Sequence, residues 1–142
     1  MQGALNRVVR TLLAVPLLSR VIGRGLLTLY VVGRKSGKRY TVPMAYVKHE
    51  GALLLGSGFL WAKNLRTGEP VELRYEGKRR VADVRVVSDE DGVAEYYSVI
   101  VRHNPGFARI NKIRIDRDGT ADPDDLRDAW VAGARVMLLT VR

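Results

Sequence analysis

Between Val71 and Val87 apolar and charged residues alternate twice about a single glycine. Val71, Leu73 and Tyr75 alternate with Glu72, Arg74 and Glu76. After Gly77, a strand over Arg79–Val87 alternates Ala82, Val84 and Val86 with Asp83 and Arg85. A period of two sends one set of side chains to a core and the other to water, which is the signature of an antiparallel hairpin wetted on one face. Such a pair is marginal alone and needs further strands, or a helix, to cover its apolar face. The chain must therefore supply a larger sheet.

The remaining segments supply it. Leu26 to Val32 is apolar and rich in β-formers and reads as a buried strand. Gly33-Arg34-Lys35-Ser36-Gly37 is a turn. Arg39 to Val47 is a second strand with Tyr40, Val42, Met44 and Tyr46 on one face, and Pro43 inside it argues for an edge or a bulge. Ala52 to Leu55 is a third strand, ended by Gly56-Ser57-Gly58. Trp61 to Leu65 reads as a short helix. Ser88-Asp89-Glu90-Asp91 opens a helix carrying Val93, Tyr96, Tyr97 and Ile100, which stops near His103-Asn104-Pro105-Gly106. Phe107 to Asp116 is ambiguous. Asp122-Pro123-Asp124-Asp125 opens another helix through Trp130, and Arg135 to Val141 is a last strand. Five or six strands with hairpin connections and flanking helices indicate an α+β chain built on a small β-barrel.

Charge is distributed unevenly. The 142-residue chain carries a net charge of +9. Nine basic residues, from Arg7 to Lys48, precede the first acid, Glu50, and beyond that point acids and bases cancel. The excess calls for an anionic partner: a phosphorylated ligand, a nucleic acid or a membrane surface. Length fits a single domain over 1–142, with residues 1–25 as a basic amphipathic helical lead-in and 26–142 as the barrel. In the lead-in Leu5, Val8, Val9, Leu12 and Leu13 recur at helical spacing, while Arg7 and Arg10 lie off that stripe. It either packs on the body or rests on an anionic membrane surface. Its longest uncharged run, Thr11 to Ser19, falls short of the roughly 18–20 apolar residues of a spanning helix. With no cysteine, disulfides, thiolate nucleophiles and Cys-ligated metals are excluded, and the chain reads as cytoplasmic, with peripheral membrane contact open.

Several motifs carry little chemistry. His49 and His103 are isolated, and no metal site is expected. Asp122, Asp124, Asp125 and Asp128 sit where a helix N-terminus favours acids. Stacking aromatics do not accompany the basic third in a nucleic-acid pattern, so no nucleic acid is expected. The run Gly33-Arg34-Lys35-Ser36-Gly37-Lys38 is not a Walker loop, because its glycine spacing is one short and Arg39 replaces the metal-binding hydroxyl. It still suits an anion, since two glycines free the backbone and three cations crowd one turn. A solvated basic hairpin is the alternative.

The segment Leu29 to Val47, LYVVGRKSGKRYTVPMAYV, resembles the signature of the deazaflavin-dependent (F420-dependent) nitroreductase family. Pro43 matches the proline of the strand that follows that signature. Leu53 to Gly58 matches a strand ending in small residues, and Trp61, Asn64, Leu65 and Arg66 match a Trp-x-x-Asn-Leu-Lys/Arg segment. The likeness spans roughly residues 5 to 102. It implies a split β-barrel of the flavin-reductase, FMN-binding-like type, with about six mostly antiparallel strands, flanking helices and an N-terminal helix. The implied cofactor is coenzyme F420, with FMN or haem, or a lipid, as alternative ligands of a non-catalytic barrel. The implied reaction is hydride transfer to a small-molecule electrophile, a quinone or nitroaromatic, by a monomer or homodimer.

The resemblance also assigns residues. Arg34, Lys35, Ser36 and Gly37, with Lys38 beside them, would grip the cofactor's phosphate and tail. Pro43 would line its channel and Ser57 would sit by its ring. Trp61, Asn64 and Arg66 would close the pocket. Tyr46, Tyr96 and Tyr97 are candidate proton donors. The chain departs from the family pattern at Tyr40, where an arginine is common, and after Gly58, where a Lys-Gly-Gly insertion is missing.

Overall fold

A computed structural model describes residues 25–58 and 60–142. The predicted lead-in helix, apart from Gly25, and the side chain of Trp61 lie outside the described residues.

Seven strands form one antiparallel sheet in the order β2-β1-β5-β6-β7-β4-β3. They are β1 (Leu26–Val32), β2 (Arg39–Ala45), β3 (Val47–His49), β4 (Ala52–Ser57), β5 (Val71–Tyr75), β6 (Lys78–Val87) and β7 (Arg135–Val141). A 3-10 helix spans Leu60–Asn64. The α-helices described are α1 (Glu90–His103), α2 (Pro105–Ile110) and α3 (Pro123–Val131).

The sheet closes on itself through one residue. β2 and β3 are the two edges of the strand order, yet only Tyr46 separates them in sequence. The predicted strand Arg39–Val47 is thus two strands: it pairs with β1 as far as Ala45, breaks at Tyr46, and pairs with β4 from Val47. The Tyr46 N–H donates to the Gly25 carbonyl (2.8 Å), which pins the break against the start of β1. Pro43 lies on edge strand β2, opposite Thr28, where a missing ladder donor is tolerated.

Two cores result. The barrel interior is filled by Leu27, Leu29, Val31, Val42, Leu53, Leu55, Leu73, Val84, Met137 and Leu139. A second cluster lies between the sheet and the helices, with Leu54, Val87, Val93, Tyr97, Ile100, Val101 and Val136. β4 therefore buries both faces, with Leu53 and Leu55 inward and Leu54 toward the helices. Each such leucine is worth roughly 1.5–3 kcal/mol relative to exposure. β1 buries one face only: Leu27, Leu29 and Val31 are inside, while Leu26 and Val32 are 38% and 57% exposed.

The helices start where the sequence caps them. The Asp89 carboxylate accepts from the Gly92 N–H (2.8 Å) and that of Asp122 from the Asp125 N–H (3.0 Å). Asn104, 9% exposed, ends α1 through its N–H to the Ile100 carbonyl and starts α2 through its side chain to the Phe107 N–H. The ambiguous stretch Phe107–Asp116 resolves into α2, a turn, and a bridge between Ile115 and Ala121.

Candidate functional site

The turn between β1 and β2 is closed by its own backbone. The Gly33 N–H donates to the Lys38 carbonyl (2.7 Å) and the Gly37 N–H to the Gly33 carbonyl (2.8 Å). The Lys38 N–H donates to Ser36 Oγ (3.2 Å), which also lies 3.2 Å from the Tyr40 hydroxyl. Gly37 takes φ +69, and a Cβ on Gly33 would stand 2.8 Å from Ser36 Oγ. Glycine is needed at the first for its left-handed backbone and at the second for the close approach. Four amides of the turn are thereby spent, because the Arg34 N–H donates across to Asn64 Oδ1 (3.1 Å). What this turn chiefly offers a ligand is side-chain charge.

The Arg34–Asn64 bond joins the turn to the 3-10 helix and forms a groove of about 500 Å³. Arg34 and Gly37 line one side, Asn64, Leu65 and Arg66 another, and Tyr30, Arg39, Glu69 and Glu72 complete it. The groove's charges are only partly neutralised. Arg34 Nη2 lies 2.9 Å from Glu69. Glu72 Oε2 takes both Arg39 (2.6 Å) and Arg79 (2.8 Å), and the Arg79 hydrogen bond holds the Glu72 carboxyl below its ordinary range. Both guanidiniums also sit over the Tyr30 ring, at 5.2 and 4.7 Å from its centroid. Lys35, Lys38 and Arg66 make no ion pair among the described residues.

The other sequence-predicted residues are dispersed. Arg34, Lys35, Ser36, Gly37, Lys38, Asn64 and Arg66 come together at the turn and groove. Ser57 is 4% exposed and sits at the end of β4 opposite Arg135. Gly56 and Ser57 belong to the strand and do not form the loop that Gly56-Ser57-Gly58 predicts. Both pair with β7, Gly56 opposite Val136 and Ser57 opposite Arg135, and glycine is required at 56 because a Cβ there would fall 2.6 Å from Phe107 Cζ and 2.8 Å from Tyr97 Cε1. These rings occupy the space a side chain would take.

The three tyrosines point to three places. Tyr97 is fully buried, edge-on to Phe107 with ring centroids 5.0 Å apart. Its hydroxyl has no hydrogen-bond partner among the described residues, and burial pushes it well above the ordinary phenol range, with Arg135 opposing. Tyr96 meets His49 edge-on at 6.3 Å. Tyr46 meets Tyr75 edge-on at 5.3 Å, and burial, then Tyr75, raises its hydroxyl. Sequence reasoning missed Glu69, Glu72, Arg79 and Tyr75. Their only signal is that Glu72, Arg79 and Tyr75 are outward or strand-end positions of the β5–β6 hairpin and Glu69 lies in the loop before it, which becomes informative once the order of strands is known.

Among the described residues no group of three or more His, Asp or Glu is placed to hold a metal, and no helix is long and apolar enough to cross a membrane.

The fold defines a class. The chain is similar to a heme storage protein, HutZ of Vibrio cholerae, at 15% identity, covering 90% of this chain and 89% of that one with a TM-score of 0.54. It is similar to a pyridoxamine 5′-phosphate oxidase-related, FMN-binding protein of Nostoc punctiforme at 14% identity, covering 97% and 79% with a TM-score of 0.54. It is also similar to the F420-H2 dependent reductase FDR-A at 16% identity, covering 81% and 94% with a TM-score of 0.50. These likenesses establish the split, flavin-binding-like barrel.

The sequence profile of the F420H(2)-dependent quinone reductases matches residues 7–120. The chain belongs to that family: it is an oxidoreductase, and its cofactor is coenzyme F420. No curated protein matches it in sequence. The donor set fits the cofactor's chemistry, since a polyanionic tail needs cations: Arg66 lines the groove, Lys35 and Lys38 belong to the adjoining turn, and none of the three has an acidic partner among the described residues.

Proposed function

We propose that the protein reduces a small electrophile, a quinone or a nitroaromatic, and that the basic turn and groove hold the polyanionic tail of coenzyme F420. The observation that carries this reading is a groove of about 500 Å³ lined by Arg34, Arg39 and Arg66 beside a turn that carries Lys35 and Lys38; of these, Lys35, Lys38 and Arg66 lack an acidic partner among the described residues. When bound, the coenzyme supplies hydride chemistry from its deazaflavin ring.

The chain's own residues bind and orient. Lys35 and Lys38 attract phosphate and carboxylate groups, and Arg34 adds a planar, two-pronged donor. Glu69 competes for Arg34, so an incoming anion exchanges one partner for another there, and the gain comes mainly from the lysines and Arg66. Ser36 and Gly37 keep the turn tight, and Asn64 fixes its distance from the 3-10 helix. Pro43 on β2 and Ser57 on β4 flank the ring's position in this reading, and Asn64 and Arg66 close the pocket. Water or a tyrosine completes the reduction with a proton. Of the three candidates, Tyr97 is packed beside the strand that carries Ser57 but is sealed within the helix-facing core. Tyr96 and Tyr46 are the half-buried alternatives.

The test mixes the protein with reduced F420 and a soluble naphthoquinone, and follows the return of the oxidised deazaflavin's visible absorbance. Parallel titrations use F420, FMN and haem. Oxidation that requires the protein, with F420 the tightest ligand, is the expected result. No oxidation with either quinones or nitroaromatics, or tighter binding of haem or FMN, would overturn the reading.

A further inference from the structure

Two acids line a groove otherwise suited to anions, and they are held differently. Glu72 is on β5, where one of its oxygens takes both Arg39 and Arg79. Glu69 is in the loop before β5, and its one ion pair among the described residues is with Arg34, at 2.9 Å. Arg34 belongs to the β1–β2 turn, so the pair joins two segments of the groove's lining that lie 35 positions apart in the chain. The loop fixes where the carboxylate stands. The Gly68 N–H donates to the Val84 carbonyl (3.0 Å), the Glu69 N–H to the Arg66 carbonyl (3.1 Å), and Thr67 Oγ1 accepts from the Val86 N–H (2.9 Å). None of these bonds uses the Glu69 side chain, which is 61% exposed.

The pairing leaves the groove's cations unequal. Of the arginines in its lining, Arg34 is held by Glu69 and Arg39 by Glu72, while Arg66 has no acid among the described residues. Lys35 and Lys38, also without acids there, lie in the adjoining turn. A ligand with one anionic group, seated in the groove, thus meets one uncommitted cation. It gains a second only by displacing Glu69 from Arg34. A chain of anionic groups reaches Arg66 with one and the lysines of the turn with others, and owes little to Arg34.

We propose that Glu69 is a specificity-determining residue of the coenzyme site. It occupies Arg34 against ligands that carry a single phosphate, and leaves the site to ligands whose anionic groups are spread along a tail. This rests on the groove and turn holding the coenzyme's tail. Discrimination then comes from a cost imposed on the wrong ligand and not from a contact with the right one. FMN, with one phosphate, is the ligand disfavoured, and F420, with a polyanionic tail, is the ligand tolerated.

Glu69→Gln keeps the length of the side chain and removes its charge. Asp83→Asn removes the same charge from an exposed pair with Arg142 (2.8 Å) outside the groove's lining, and so measures what net charge alone does. FMN and F420 are titrated by fluorescence into the native protein and both variants at one low salt concentration. Freeing Arg34 gives a lone phosphate a second cation where it had one, whereas the tail already has three. From the strength of exposed ion pairs, FMN affinity should rise about three- to fivefold in Glu69→Gln and F420 affinity less than about twofold. Neither should change in Asp83→Asn. A gain for F420 equal to or larger than that for FMN, no gain for FMN, or the same FMN gain in Asp83→Asn would overturn the proposal. Failure of F420 to bind the native protein would overturn the reading of the groove itself, and the proposal with it.

Discussion

Tyr97→Phe removes one oxygen from the best-packed part of the helix-facing core. The ring is fully buried and edge-on to Phe107 at 5.0 Å, and both features survive the change. The hydroxyl has no partner among the described residues, so folding strips it of water with no return from them. That costs about 1–3 kcal/mol for a buried, unsatisfied group. Against this stands the void left by one oxygen, roughly 10 Å³, which at about 24 cal/mol per Å³ costs only ~0.2 kcal/mol. The substitution should therefore stabilise the protein by about 1–2 kcal/mol. For a chain of this size that corresponds to a rise of roughly 3–8 °C in melting temperature. Urea unfolding followed by tryptophan fluorescence should show a higher midpoint at unchanged slope. A loss of more than about 1 kcal/mol would refute the reasoning, because the hydroxyl would then be making a favourable bond in the native state.

Other predictions follow from single contacts. Gly56→Ala places a methyl 2.6 Å from Phe107 Cζ and should destabilise by about 1–3 kcal/mol through overpacking, read by the same unfolding assay; a neutral effect would mean that α2 yields easily. Asp125 is held below the ordinary carboxylate range, first by the Arg114 side chain and then by its backbone N–H. A depressed folded pKa gives stability that is present above the unfolded value, about 3.9, and lost as pH falls through the folded one. Arg114→Met should therefore flatten the acid limb of stability below about pH 4, measured by urea midpoints against pH, and an unchanged limb would contradict the assignment. Asp89→Ala removes the α1 cap and should cost about 1 kcal/mol, checked by the same midpoints.

Local pattern foretold some elements closely and failed where distant packing decides. Leu26–Val32 and Arg135–Val141 are strands residue for residue, since short apolar runs rich in β-formers leave few alternatives, the first bounded by Gly25 and Gly33. Pro43 announced an edge strand because proline lacks the donor that a central strand needs. The break at Tyr46 was invisible: Tyr40, Val42, Met44 and Tyr46 keep their alternation through it, and only barrel closure requires the chain to change partners there. Gly56-Ser57 mark the end of the predicted strand, yet the strand runs through them because they pair with Val136 and Arg135 of β7, far along the chain; Tyr97 and Phe107 fill the volume above Gly56 and require a glycine there. The short α2 escaped notice because Asn104 acts both as the stop of one helix and the start of the next. At the candidate site, the cations of Gly33–Lys38 were legible as a cluster. Which of them remain unpaired was not, because Glu69 and Glu72 come from β5 and the loop before it.

The central claim is that the unpaired cations of the turn hold the coenzyme's anionic tail. It is tested most directly by titrating F420 fluorescence against native protein and against Lys35→Ala/Lys38→Ala, at several salt concentrations. Both lysines are exposed, and their removal leaves the core intact. The account predicts a loss of order ~1–3 kcal/mol in binding and a weaker dependence on salt, because screening acts on exposed charges. Equal affinity and equal salt dependence in the two proteins would contradict it.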